Sequence, residues 1–272
     1  MKRWIPLVLL LTACQAPAPL AAEPVPVPAE APAAPAAPAA PSKVAEKKWQ
    51  PNPDHVSVQF AGEYTWALRG NGIVLVGGQD IRTFTESMIK AWLALDLITA
   101  KNSVVSDADT AAMAKMIRES DDKIAQRFYL NLGGDASVRR MISTCGLLET
   151  AITPNWWSKT KVSANDAARI GQCLEIGPGI SPEWREKLLA MMRDISPDGR
   201  FGIPQAPALQ GKPLAVKNGW TQHDDTWTVT CLALWDGWSL AVLTRVRSTD
   251  HLAGAQVCTT VAQQLFSDAP KN

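Results

Sequence analysis

The stretch ESMIKAWLALDLITA, from Glu86 to Ala100, is where the fold is decided. Met88, Ile89, Trp92, Leu93, Leu95, Leu97 and Ile98 spread over every face of a 3.6-residue period. A helix apolar nearly all round belongs in the middle of a core, not on its surface. Lys90 breaks this pattern, because lysine is almost never fully buried unless it is paired. Ser87 lies three residues earlier and shares the helical face of Lys90. Both sit in the first turn, where free backbone N–H groups and the helix dipole favour negative charge.

On the N-terminal side, Val56 to Phe60 alternates and predicts a strand. Thr65 to Leu68 and Ile73 to Val76 predict two more, joined by the turn signal Gly70-Asn71-Gly72. On the C-terminal side, helices are expected over 107–119, over 121–132 with Gly133-Gly134 as a stop, and over 137–144 up to Gly146. Ser163 caps a further helix to about Ile176, with Asp166 at the third position as its capping partner. Pro182 stands in the first turn of another, to about Asp194. The tail reads as strand from Leu214–Val216 onward, strands over 226–234 and 238–246, and a helix over 252–266. Strands at both ends with helices between them predict an α+β fold: one antiparallel sheet built from the N- and C-terminal segments, with a helical lobe between.

A serine hydroxyl is a poor nucleophile until a base takes its proton. A lysine serves as that base only when burial or neighbouring positive charge lowers its pKa. Ser87-Met88-Ile89-Lys90 has the spacing of such a pair. Ser120-Asp121-Asp122-Lys123 and Ser158-Lys159-Thr160-Lys161 also match S-x-x-K, but Lys123 and Lys161 have polar neighbours and read as solvated. Ser87 alone opens an apolar helix. The plainer reading of Ser87 and Lys90 is a helix cap with a snorkelling lysine.

Two further elements stand in order behind this pair. Ser120-Asp121-Asp122 precedes a helix that ends in Leu132-Gly133-Gly134, and Lys217-Asn218-Gly219 lies on an expected strand followed by two strands and the terminal helix. Taken singly, the first is also a helix-capping motif and the second an Asn-Gly turn. Together with Ser87-x-x-Lys90 they resemble the S-x-x-K, S-D-N and K-T-G motifs of the penicillin-recognising serine hydrolases, the class A β-lactamases and penicillin-binding DD-peptidases. Ser163-Ala164-Asn165-Asp166-Ala167 is similar to the family's T-T-x-x-D helix start. The likeness is to the compact lipoprotein branch in actinobacteria more than to true β-lactamases.

The resemblance implies that Ser87 is the acylated nucleophile, Lys90 its base and Ser120 a proton relay toward the leaving nitrogen. It implies that Lys217 holds a substrate carboxylate, with Asp122 and Asn218 at substrate-binding positions and Gly219 leaving room for substrate. The backbone N–H groups of Ser87 and Trp220 would form the oxyanion hole. Asp122 stands where the family has asparagine, and Asn218 where it has a hydroxyl residue. No E-x-x-x-N loop precedes Ser163, and Glu149 is the acid in that region. Acylation by peptidoglycan-like or β-lactam amides followed by slow release is therefore expected. The alternative is an inactive β-lactamase-fold lipoprotein acting as a binding or scaffold protein in the cell envelope.

The first residues carry Lys2 and Arg3, an apolar run from Trp4 to Leu11, and Leu11-Thr12-Ala13-Cys14. This reads as a signal peptide over 1–13. It resembles the lipobox of bacterial lipoproteins, which implies lipidation at Cys14 and anchoring on the extracytoplasmic face of the membrane. Residues 14–55 hold 11 of the 20 prolines between positions 15 and 55 and predict a disordered tether. The folded domain is expected over 56–268. Outside the cytoplasm disulfides form, and sequence proximity favours Cys145–Cys173 and Cys231–Cys258. A net charge of +1 gives no reason to expect nucleic acid. The absence of any C-x-x-C and the three scattered histidines argue against a metal site. No cofactor is implied, and a monomer is expected. His223, His251 and Asp224-Asp225 lack the G-x-S-x-G elbow that would make a Ser–His–Asp triad. Trp156-Trp157, Trp220 and Trp227 fall near the expected cleft.

Overall fold

The computed structural model describes residues 50–268. The expected signal peptide, Cys14 and nearly all of the tether lie outside them. The folded body starts slightly before position 56: Pro51 is buried, and Pro53–His55 form a 3-10 turn capped by Asn52.

Strands β1 (Glu63–Gly70) and β2 (Ile73–Gly78) form a hairpin. Asn71 and Gly72 link them, both at positive φ, 48° and 79°, as a two-residue turn matched to strand twist requires. The two-residue strands β3 (Thr83–Phe84) and β4 (Lys161–Val162) pair with each other. Between them run helices α1 (Lys90–Ala100), α2 (Asp107–Arg118), α3 (Asp122–Asn131) and α4 (Asp135–Cys145). Helices α5 (Ala164–Ile176) and α6 (Pro182–Arg193) follow, then strands β5 (Ala215–Val216), β6 (Gly219–His223), β7 (Thr226–Trp235) and β8 (Trp238–Arg247), and helix α7 (Leu252–Leu265). The main sheet is antiparallel in the order β2-β1-β8-β7, with β5 and β6 both pairing with the far side of β7. The first and last thirds of the domain thus share one sheet, as the α+β reading expected.

Strand parity sorts side chains into two cores. Ala67, Leu232, Leu234, Ala241 and Leu243 face the helical lobe and pack with α1 and its neighbours. Trp66, Leu68, Val229, Cys231, Ala233, Leu240 and Val242 face the other way and pack with α7. Strand β7 therefore reads as a nearly continuous apolar run. Helix α1 is the axis of the lobe: every residue from Lys90 to Ile98 is buried, and α2, α3, α4, α5 and α6 all pack against it. The cysteines pair as expected, Cys145 with Cys173 and Cys231 with Cys258. The first pair ties α4 to α5, the second β7 to α7.

Three local expectations are corrected. Val56 to Phe60 is extended but joins no sheet. Its alternation does bury Val56, Val58 and Phe60 partly against the α7 core, but Gln264 takes the place of a neighbouring strand. The Gln264 side chain accepts from Ser57 N at 2.9 Å and donates to Ser57 O at 3.0 Å. The central helix opens with a 3-10 turn, Glu86–Ile89, before the α-helix begins at Lys90. Asp166 accepts no bond from the start of its own helix. Ser163 caps Asp166 N at 3.2 Å, while the buried carboxylate holds Leu148 N, Glu149 N and Thr150 Oγ1.

Helix α5 lies on the sheet closely enough that a Cβ at Gly171 would sit 2.1 Å from Ser239 Oγ and 2.6 Å from Leu234 Cδ2. Gly171→Ala is expected to destabilise the domain by about 1–3 kcal/mol through overpacking, read as a lower urea midpoint at unchanged slope.

Candidate active site

The segment that carries Ser87 is fixed from both sides. Thr85 N donates to Thr160 O at 2.8 Å, and Thr230 Oγ1 on β7 donates to Phe84 O at 2.9 Å. Ser87 is not a helix cap: the 3-10 turn starts one residue earlier, and in such a turn side chains three apart nearly eclipse. That geometry sets Lys90 Nζ 2.8 Å from Ser87 Oγ.

Lys90 has no exposed side-chain surface and is not snorkelling. Besides Ser87, its Nζ meets Ser120 O at 2.6 Å, Ser120 Oγ at 3.1 Å and Asp122 Oδ1 at 2.6 Å. The Trp157 ring lies beneath it, its centroid 5.3 Å away. The capping role in Ser120-Asp121-Asp122 falls to Asp121, which accepts from Ile124 N at 2.9 Å. Ser120, at φ 59°, and Asp122 are thereby left to face Lys90. Burial lowers the Lys90 pKa below its ordinary value; Asp122 opposes this by hydrogen bond and charge without reversing it. A neutral amine has two N–H donors and one lone pair. Ser120 O and Asp122 can take the donors, leaving the lone pair for the Ser87 hydroxyl proton.

Lys217 is fully buried, with Nζ 3.0 Å from Ser120 Oγ, so the Ser120 hydroxyl bridges two lysines. Burial, then the nearby Lys90 charge, push the Lys217 pKa well below normal. Strands β5 and β6 share one register on β7 and are interrupted at Lys217-Asn218. There is no Asn-Gly turn there. Lys217 N keeps its ladder bond to Leu232 O at 3.1 Å, whereas Leu232 N donates to Asn218 Oδ1 at 3.3 Å. Asn218 Nδ2 donates to Gly199 O and Phe201 O. At 1% exposure with its amide fully engaged, the Asn218 side chain is a clamp between strand and loop and is not free to bind a substrate.

Gly219 is likewise reassigned. A Cβ there would sit 2.6 Å from both Glu86 Cβ and Ser87 N, so the space it leaves is filled by the Glu86–Ser87 segment. The ladder bond at Lys217 turns the backbone groups of 217, 219, 221 and 223 toward β7. Residues 218, 220 and 222 therefore present theirs to the free edge. The Trp220 N–H is on that edge, as an oxyanion donor must be. The Trp220 ring packs with Phe201 and His251 at centroid distances of 5.1 and 5.6 Å.

These groups border a cleft of 1310 Å³ whose walls include Ser87, Ser120, Asp122, Trp156, Trp157, Trp220 and His223. Glu149 does not line it; it pairs with Arg82 at 3.3 Å. The sequence reading missed one pair. Glu86, next to Ser87, is buried at φ 47° and meets His223 Nε2 at 2.7 Å. Residues 137 apart give no local signal of such a contact. Strand parity does place His223 on the face of Gly219, which is the face against Glu86.

Sheet, lobe and cleft together are the fold of the class A β-lactamases. A β-lactamase from Chitinophaga pinensis superposes with a TM-score of 0.63 at 16% identity, over 77% of this chain and 95% of that one. A class A β-lactamase from Bacteroides cellulosilyticus gives a TM-score of 0.63 at 12% identity, over 76% and 91%. In sequence, the chain is similar to LppW of Mycobacterium tuberculosis and of Mycobacterium bovis, a protein named as a lipoprotein. Identity is 34% over 164 residues, 56% of this chain and 51% of LppW, so the chain spans about half the length of the curated relatives it matches. No family model matches the sequence.

Lys217 makes stability depend on pH. Below about 10.5, an unfolded chain protonates this lysine, while the folded chain holds it neutral down to its depressed value. The unfolded state then binds more protons, so stability rises as pH climbs toward 10.5. Urea melts at pH 7 and pH 9.5 are expected to show this rise. Lys217→Met should reduce it, leaving the part due to Lys90, and stabilise the domain at pH 7 by on the order of 1 kcal/mol.

Proposed function

We propose that this chain is an extracytoplasmic serine hydrolase, anchored to the membrane through a lipid on Cys14, that is acylated on Ser87 by peptidoglycan-like or β-lactam amides. The observation that carries the reading is the buried Lys90 amine, with its pKa lowered, 2.8 Å from Ser87 Oγ. The similarity to LppW, named as a lipoprotein, supports the anchor. Among the described residues no helix is long and apolar enough to cross a membrane.

In the forward reaction, Lys90 takes the Ser87 proton as Oγ attacks the substrate carbonyl. The N–H groups of Ser87 and Trp220 hold the oxyanion, each worth on the order of 3 kcal/mol. The proton passes from Lys90 through the Ser120 hydroxyl to the leaving nitrogen. The C–N bond then breaks and the acyl group stays on Ser87. Lys217 keeps the Ser120 hydroxyl oriented. With Glu149 held by Arg82 away from the cleft, water attack on the acyl-enzyme lacks the glutamate that class A enzymes use, and the ester is long-lived.

One observation favours a second reading. Asp122 holds Lys90 at 2.6 Å, and an ammonium locked in that pair would make a non-catalytic binding or scaffold lipoprotein. The chain is treated in detergent with a fluorescent penicillin and, separately, with a fluorophosphonate, and its intact mass is measured. The enzyme reading expects an adduct of one acyl group per chain that is absent in Ser87→Ala. No adduct on the folded wild type with either probe would sink it in favour of the scaffold.

Asp122→Asn removes the charge that raises the Lys90 pKa, so the neutral amine persists to lower pH. The acid limb of the acylation-rate profile is expected to shift down by about 1 pH unit, checked by stopped-flow from pH 5 to 9. A profile that stays in place would mean that Lys90 is not the titrating base.

A further inference from the structure

We propose that Glu86 and His223 are positioning residues that clip the Ser87 turn to strand β6 and so fix the two-segment oxyanion hole; the inference rests on the reading of Ser87 as the acylated residue. One donor, Ser87 N–H, belongs to the turn at the start of α1. The other, Trp220 N–H, belongs to β6. An oxyanion hole is useful only if both donors are held to a few tenths of an ångström where charge develops.

Turn and strand meet at two points. At the first, Gly219 lies against Glu86 Cβ and Ser87 N with no room for a Cβ. This is close packing, which resists approach but not separation. At the second, four residues further along β6, His223 Nε2 binds Glu86 Oε1 at 2.7 Å. The two points bracket Trp220. Glu86 itself is in the left-handed region at φ 47°, which a non-glycine residue holds only when its surroundings impose it. Its carboxylate is 3% exposed, and Phe84 packs edge-on to the His223 ring at 5.1 Å. The bonds from Thr85 N and to Phe84 O secure the chain before Glu86. The Glu86 side chain secures it at the residue that abuts the nucleophile.

The test measures acylation by a chromogenic penicillin under single-turnover conditions, separating the dissociation constant from the acylation rate constant. Glu86→Ala and His223→Ala are each expected to slow acylation about 10- to 100-fold with little change in the dissociation constant. Glu86→Gln, which can still accept from His223 Nε2–H, should retain most of the wild-type rate. The double variant should be no slower than either single one, because both break the same contact. Hydrogen exchange of segments 85–89 and 219–223 should quicken in both alanine variants and return toward wild type in Glu86→Gln. Wild-type acylation rates in the folded alanine variants, or additive losses, would overturn the clip. If the wild-type chain takes no acyl group, the Ser87 reading falls separately, and exchange decides: unchanged exchange in the alanine variants overturns the clip as well.

Discussion

An ammonium group with no contact to water must either find acceptors for its protons or surrender one, and Lys90 is placed where both demands meet. Four acceptor atoms, from Ser87, Ser120 and Asp122, converge on its Nζ. They come from different parts of the chain, and each needs a special local conformation to arrive. Ser87 needs a 3-10 turn, and Ser120 needs a positive φ while Asp121 takes over the capping of α3. The apolar helix exists to exclude water from this amine. The lobe packed around that helix supplies what the amine then requires.

Lys217 repeats the problem on the other side of the Ser120 hydroxyl, which joins the two lysines. Asp122 faces Lys90 at 2.6 Å, yet burial still lowers the proton affinity of both amines. The site is therefore a standing cost to the fold, held in place by two apolar cores and two disulfides. Asp122 acts in the opposite sense, partly restoring the proton affinity that burial removes from Lys90. Burial and the Asp122 charge thus pull the Lys90 amine in opposite directions.

Much of this architecture was legible in the sequence because it follows from short-range rules. Helix periodicity, the cap at Ser163, Pro182 in a first turn and the Gly70-Asn71-Gly72 signal pointed to the elements and their order. The buried lysine in an apolar helix marked the site. What escaped depended on partners distant in sequence. The Val56–Phe60 segment alternates like a strand, but only the position of Gln264 shows why it lacks one. Asn218 and Gly219 fit a substrate-binding motif in one dimension. In three dimensions, one is consumed by the carbonyls of Gly199 and Phe201, and the other by the backbone of Glu86 and Ser87. The Glu86–His223 pair had no sequence pattern at all, since strand parity becomes informative only once β6 is known to run to His223.

The two disulfides carry a consequence for timing. Each closes a loop of similar length, 28 and 27 residues of separation, worth roughly 3–4 kcal/mol in the chain-entropy account. One secures the helical layer and the other secures α7 to the sheet. Together they are comparable to the whole net stability of an ordinary domain, about 5–15 kcal/mol. In a reducing compartment the chain forgoes both, and it must do so while burying two lysines. The same polypeptide is thus less stable where thiols stay reduced than where they oxidise. Thiol oxidation works as a clock on assembly of the Ser87 cleft.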